Sequence, residues 1–198
     1  MGRGRLEAFS DGVIAILITI MVLELKIQHG SEWHALAPVV PVFLTYVLSF
    51  VYLGIYWVNH HHLLQTVEKV DGRVLWTNLH LLFWLSLVPF VTGWMGENHG
   101  ATAPTALYGV VMICAAIAYT VLQWAIIASH GPRSKLAAAV GGDLKGKASI
   151  LLYAAAIALA FVHQAISDAL YVAVALMWFV PDRRIEAILT NPQTPGGE

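Results

Sequence analysis

The residues of this chain that could do chemistry gather near the ends of its first three long apolar segments. The first segment opens with Arg5, Ser10 and Asp11, the second ends with residues 59–62, which read Asn-His-His-His, and the third opens with Asn78. Carboxylate, hydroxyl, amide and imidazole groups can build a hydrogen-bond network, hold a metal ion or exchange protons. Which of these three roles the groups have depends on how the apolar segments position them.

Asp11 has no cation on its own helix that could neutralise it. The residues one turn away are Glu7, Ala8 and Ala15, and residues three or four apart are the ones that meet on a helix surface. Ionisable groups in apolar spans are costly and usually face a partner or water. We therefore expect an interhelical network in which side chains of other segments hold Asp11.

The three consecutive histidines do not predict a metal site. Neighbours in sequence point about 100° apart on a helix, so three in a row cannot all ligate one ion. For His62 an ordinary position in the wet interface is as good an interpretation. An enzyme is not predicted either, because Ser10 and Asp11 are adjacent and diverge on a helix, and no nucleophile or metal is evident beside them.

The composition places the chain in a membrane. Of 198 residues, 58% are hydrophobic and 12% charged, whereas soluble domains are roughly a quarter charged. The mean hydropathy is +0.69. A net charge of −1 gives no indication of a nucleic-acid partner. The single Cys114 excludes an intrachain disulfide.

The predicted fold class is an all-α membrane protein with six transmembrane helices per chain. A helix needs about 20 mostly apolar residues to cross the bilayer, and six segments qualify. The short "HQAISD" link predicts a tight hairpin of the last two helices, and small residues in "YAAAIALA" favour their close approach. The spans are predicted at about 7–27, 36–63, 74–95, 104–129, 147–163 and 166–181.

The basic residues predict that both termini are cytoplasmic. Of the eleven Lys and Arg residues, only Lys26 falls on one side of the predicted topology. Positive charge stays inside. The remaining ten fall on the other side: Arg3, Arg5, Lys69, Arg73, Arg133, Lys135, Lys145, Lys147, Arg183 and Arg184.

The sequence predicts one transmembrane domain followed by a short tail. Residues 1–181 form the six-helix domain, and residues 182–198 form a polar cytoplasmic tail, disordered because its end is rich in Pro and Gly. The first segment is interpreted as a retained helix, since Glu7 and Asp11 are unusual in a signal peptide and "LELKIQHG" offers no small-residue cleavage site.

The pattern Arg5-x-x-x-Phe9-Ser10-Asp11 at the start of the first helix resembles the signature of the transmembrane protein 175 family, endolysosomal potassium channels, in its short prokaryotic form. "WVNHH" in the second helix and Asn78 with "LVPF" in the third support the resemblance. It extends over all six spans in order. It implies a homotetramer in a prokaryotic plasma membrane, with a central pore lined by helix 1 of each subunit.

The resemblance also implies a passive channel for potassium and other monovalent cations, weakly to moderately potassium-selective, without cofactor or stable metal site. Its pore narrows at apolar side chains. The sequence agrees in having no "TVGYG" filter and no Arg-rich voltage sensor. By position relative to Phe-Ser-Asp, the constriction residues are Ile16, Thr19, Ile20 and Leu23.

Periodicity alone favours ordinary helix packing for Ile16, Ile20 and Leu23, which share one face; only the resemblance makes them a pore. The resemblance also makes the polar motif a structural anchor near the inner mouth. The anchoring residues are Arg5, Phe9, Ser10, Asp11, Trp57, Asn59, His60, His61 and Asn78.

Two other functions stay open. A secondary transporter would favour interrupted helices and midplane charges, whereas the polar residues here lie at one end. A proton-permeable channel of the same family would use the histidines as relays.

Pro38, Pro41 and Pro89 predict kinks in the second and third spans.

Overall fold

A computed structural model describes residues 2–26, 29, 31–131, 136–137 and 144–179, which are helical apart from short links. The predicted tail, 182–198, lies outside the described residues, as does the end of the sixth predicted span. The α-helices are α1 (Arg3–Ile20), α2 (Val40–Gln65), α3 (Gly72–Ser86), α4 (Val88–Glu97), α5 (Thr102–His130), α6 (Leu144–Ala160) and α7 (Gln164–Phe179).

Two 3₁₀ segments extend the first two helices at the same end of the bundle. Met21–Glu24 continues α1, and Trp33–Val39 leads into α2. Pro38 lies inside the second segment, where the missing N–H and fixed φ disfavour a regular α-helix. With these extensions, four described helical stretches are long and apolar enough to cross a membrane: Arg3–Glu24, Trp33–Gln65, Gly72–Glu97 and Thr102–His130.

The other two predicted spans correspond to shorter helices. Within the described residues, α6 has 17 residues and α7 has 16, fewer than the roughly 20 that a straight crossing needs. They pack against each other as predicted from the short link between them. A crossing by each of these two helices, and the orientation of the termini, stay predictions.

The third predicted span is broken into α3 and α4. The break falls at Leu87, two residues before Pro89, which occupies the first turn of α4. Proline lacks the N–H that a continuous helix would use and its ring crowds the preceding turn. The kink expected from Pro89 is therefore present, and it makes the two halves of this span separate packing units.

α3, α4, α6 and α7 pack against α5, and α1 and α2 pack on that group. Helix α5 contacts α3 and α6 extensively, α2 packs on α4, and α1 lies across α2 and α3. Three fully buried tyrosines, Tyr52, Tyr108 and Tyr171, fill the centre. Tyr52 Oη donates to the Tyr171 carbonyl at 2.6 Å, and Tyr171 Oη donates to the Thr105 carbonyl at 2.9 Å. These hydrogen bonds satisfy the buried tyrosine hydroxyls, so the hydroxyls can lie in an apolar core.

Candidate functional site

Helix α1 has one buried face and one open face within the subunit. Its buried side chains recur every three or four residues, the helical period: Leu6, Ser10, Ile14 and Leu17. The opposite face carries large apolar side chains that no other described part of the subunit covers. Leu23 is 77% exposed and Ile16 is 59% exposed. Uncovered apolar surface of this size is typical of contact with lipid or with another protein chain.

The four residues predicted to form the constriction all lie on the open face. Ile16, Thr19, Ile20 and Leu23 are exposed. The 3₁₀ turn after Ile20 has three residues per turn, which places Leu23 directly beyond Ile20 along the helix. The Thr19 hydroxyl lies 3.0 Å from the Ala15 carbonyl and 2.9 Å from the Ile16 carbonyl. Its proton is therefore engaged within the helix, and its oxygen lone pairs remain available.

Three of the predicted anchoring residues form one buried chain of hydrogen bonds across three helices. His60 Nε2 on α2 lies 2.7 Å from Asn78 Oδ1 on α3. Asn78 Nδ2 donates to Ser10 Oγ on α1 at 2.9 Å, and Ser10 Oγ donates to the Leu6 carbonyl at 2.9 Å. Because the amide oxygen can only accept, His60 carries its proton on Nε2. All three polar side chains are completely buried.

Asp11 is held by a neutral donor rather than a cation. Trp57 Nε1 on α2 donates to Asp11 Oδ1 at 3.0 Å, and this contact is exposed within the subunit. One turn earlier, Glu7 Oε1 lies 2.9 Å from His61 Nδ1. His61 Nε2 lies 2.8 Å from Gln65 Nε2, so a neutral His61 protonated on Nδ1 satisfies both contacts.

Three residues predicted for the anchor lie outside these contacts. Among the described residues, Arg5 makes no ion pair, and both Arg5 and Phe9 are exposed on the open side of α1. The Asn59 side chain donates to the Ile55 carbonyl of its own helix at 2.8 Å. Its backbone carbonyl accepts from Tyr119 on α5 at 3.1 Å, so Asn59 contacts a different helix from the one expected.

Contacts at the opposite end of α1 escaped the sequence interpretation. Lys26 forms an ion pair with Glu97, the last residue of α4. The Glu24 side chain lies across Gly93, where a Cβ would fall 2.5 Å from Glu24 Oε2. The sequence signal was Gly93, since a glycine lets another segment approach a helix backbone closely.

The described residues contain no group of three His, Cys, Asp or Glu side chains placed to hold a metal ion. The consecutive histidines divide instead: His60 binds Asn78, and His61 binds Glu7. His60 Nδ1 is buried without a hydrogen-bond partner. The arrangement is that of an interhelical lock beside an uncovered apolar helix face, and it presents no acid–base pair facing a substrate cavity.

Comparison with known proteins gives matches over most of the chain. Residues 5–89 match the family described as endosomal/lysosomal potassium channel TMEM175. A protein of Chryseobacterium sp. (strain P1-3), named a potassium channel, is 55% identical over 189 residues, covering 96% of this chain and 98% of that protein. A Danio rerio protein, named endosomal/lysosomal proton channel TMEM175, is 29% identical over 64% of this chain and 24% of its own length.

A solved structure has the same fold. The crystal structure of a lysosomal potassium-selective channel TMEM175 homolog from Chamaesiphon minutus aligns with a TM-score of 0.75 and 28% sequence identity. The alignment covers 91% of this chain and 97% of that one.

Proposed function

Since this chain belongs to the TMEM175 family of ion channels, we propose that it is a passive potassium channel whose pore is built by α1 of four identical subunits. The observation that carries the proposal is the open apolar face of α1. A helix this exposed inside its own subunit needs an occupant for that face, and copies of itself around a fourfold axis supply one.

Four copies of α1 would enclose a path lined by rings of branched aliphatic side chains. Ile16, Ile20 and Leu23 would each form one ring. A narrow apolar ring blocks ions by expelling water, and a wider one makes them shed part of their hydration shell. Ion conduction would then depend on the diameter of these rings, because the face contains no charged group at their depth.

Thr19 supplies the nearest side-chain oxygens. Its hydroxyl proton is used within α1, so four hydroxyl oxygens, one from each subunit, would lie between the Ile16 and Ile20 rings with lone pairs free to accept. Potassium is less strongly hydrated than sodium and loses less when such weak oxygen ligands replace water. This supports a weak to moderate preference for potassium, consistent with the name of the 55% identical relative.

The remaining predictions fit this assembly. Positive charge at the Arg3 end of α1 supports cytoplasmic termini and a multi-pass protein of a prokaryotic plasma membrane. The lock formed by Ser10, Asn78 and His60 would lie at the inner mouth. It would fix the rotation of α1, and thereby decide which side chains face the axis.

The reversal potential of the purified protein in a planar bilayer tests the proposal, with potassium on one side and sodium on the other. We expect a shift toward the potassium equilibrium potential and a tetramer by cross-linking. A measurable current that reverses at zero would contradict the selectivity. If inserted tetramers carry no current but transport cations only when a proton gradient is imposed, a secondary transporter would be favoured.

A proton-permeable channel is the second candidate, supported by the name of the Danio rerio relative. The same bilayer with a pH gradient and symmetrical potassium distinguishes it. A reversal potential that follows the proton gradient would show proton permeation. A reversal potential that stays at zero across that gradient, with a potassium current present, would exclude it under those conditions.

A further inference from the structure

The outer end of α1 has a support, α4, that the network at its inner end does not use. The inner end is tied to α2 and α3 through Ser10, Asn78 and His60. The outer end, the 3₁₀ segment Met21–Glu24, contacts α4 as well as α2. Because the helical span is interrupted at Leu87 between α3 and α4, the helix that supports the outer end of α1 is not a continuation of α3, which supports the inner end.

The contact between Glu24 and Gly93 leaves no space for a side chain on α4. A Cβ built on Gly93 would lie 2.5 Å from Glu24 Oε2, 2.9 Å from its Cδ and 3.3 Å from its Cγ. Gly93 is buried and Glu24 is half-buried. The glycine therefore allows the whole carboxylate arm of Glu24 to rest on the backbone of α4.

Two residues further on, Lys26 reaches Glu97 at the end of the same helix. The pair joins positions 71 residues apart in sequence, and its side chains are 74% and 43% exposed. The hydrogen bond and charge of Glu97, with a smaller contribution from Glu24, raise the pKa of Lys26 above its usual value. The lysine is charged at neutral pH, and this pairing is intact there.

An exposed ion pair contributes little to folding stability. Its effect here is positional, because Leu23 lies directly before Glu24 and three residues before Lys26. Leu23 is 77% exposed, so the described residues of the subunit cover little of its side chain. The contacts that Glu24 and Lys26 make with α4 therefore determine where the Leu23 side chain projects.

We propose that Glu24, Gly93, Lys26 and Glu97 form an outer clamp that positions Leu23 at the outer ring of the pore. The four are positioning residues, since the ions would meet Leu23 and not the clamp. This inference rests on the proposed function, because it assigns Leu23 to a ring. The clamp itself is a contact between α1 and α4 that can be tested without current.

The test measures how fast residue 23 reacts with a membrane-impermeant thiol reagent. The background is Leu23→Cys with Cys114→Ala, which removes the only natural cysteine, in proteoliposomes of the full chain. In that background Glu97→Gln should change the modification rate about threefold to fivefold, the range open to an exposed ion pair. The charge swap Lys26→Glu with Glu97→Lys keeps the net charge and should restore the parent rate.

Gly93→Ala is the second variant, and it should change the rate more than Glu97→Gln because Glu24 must leave α4. Glu32→Gln is the matched control, since it removes an exposed carboxylate from the link between α1 and α2 without touching the clamp. Its rate should equal that of the parent. The thermal midpoint of Glu97→Gln should stay at the parent value, which separates positioning from general stability.

Equal rates for Glu97→Gln, Gly93→Ala and the parent would overturn the proposal. So would a changed rate in Glu97→Gln that the charge swap fails to restore, since the pairing of opposite charges would then not be what positions residue 23. The proposed function fails separately, through absence of potassium current in the wild-type protein. The modification rates remain interpretable in that case.

Discussion

Asn78 bridges two helices by donating to Ser10 Oγ over 2.9 Å while its amide oxygen accepts from His60 at 2.7 Å. Asn78→Ala removes both bonds, which leaves the buried His60 ring without a hydrogen-bond partner and Ser10 with only its bond to the Leu6 carbonyl. An unsatisfied buried group costs about 1–3 kcal/mol, so we expect a loss of this size in thermal or denaturant unfolding of the detergent-solubilised protein. Thr77→Ala is the control, because the Thr77 hydroxyl bonds only carbonyls of its own helix. Equal losses in the two variants would refute the bridging role.

Asp11→Ala should lower the yield of tetramer on a sizing column. The Asp11–Trp57 bond fixes α1 to α2 on the exposed side of the subunit, where neighbouring copies would meet. Trp57→Phe keeps the ring but removes the donor, and should reduce the yield in the same direction. If Asp11→Ala assembled normally and only altered conduction, the anchor interpretation would be wrong.

Ile16→Ala should preserve assembly and raise the potassium current at a fixed voltage. The shorter side chain widens the proposed ring and lowers the cost of hydrating it. Leu151→Ala shortens an aliphatic side chain of similar size that is 71% exposed on α6, away from α1. An increase of the same size in Leu151→Ala would mean that Ile16 acts through general loosening and not through the pore.

Gly109→Ala should destabilise the subunit. A Cβ at this position would lie 2.3 Å from Tyr171 Oη and 2.7 Å from Ile157 Cγ1, so the bond from Tyr171 to the Thr105 carbonyl would be lost or strained. Overpacking of this kind costs about 1–3 kcal/mol. Gly54→Ala meets nothing within 4 Å and should gain up to about 1 kcal/mol of helix propensity. The difference in unfolding free energy between the two variants measures the effect.

Stability should fall in acid through Asp71, the N-cap of α3. Hydrogen bonds from the Val74 amide and the Ser129 hydroxyl hold its pKa below the usual 3.8. A lowered pKa means that this stabilisation is complete above the unfolded pKa and is lost as pH falls through the folded one. Unfolding midpoints measured from about pH 5 to pH 2 should show the loss. Asp71→Asn keeps a capping oxygen and should flatten that dependence; an unchanged slope would exclude Asp71 as its source.

Local features of the fold could be predicted from the sequence. Apolar length located four of the six predicted spans, and Pro89 located the break in the third one, because a missing N–H acts on its own helix. The sequence also grouped Ser10, His60 and Asn78, since the predicted topology places them at the same end of the bundle. Each of these inferences needs only the residue type and its position along a helix.

Contacts that depend on how helices rotate against each other could not be predicted. Glu7 faces His61, and Lys26 reaches Glu97, only because α1 takes one particular azimuth on its neighbours. Arg5 was expected to join the same network as Asp11. It lies six residues earlier on α1, and its side chain is on the open face of the helix. Sequence gives the position of a residue along its helix well, but direction around a helix axis follows from packing.

The buried tyrosines have an electrical consequence. The hydroxyls of Tyr52, Tyr171 and Tyr119 donate to the backbone carbonyls of Tyr171, Thr105 and Asn59. A carbonyl accepts a hydrogen bond but has no proton to pass onward, so each of these contacts ends a relay instead of extending it. These three contacts therefore cannot carry a proton through the subunit interior; in the proposed tetramer, charge would cross the membrane between copies of the chain.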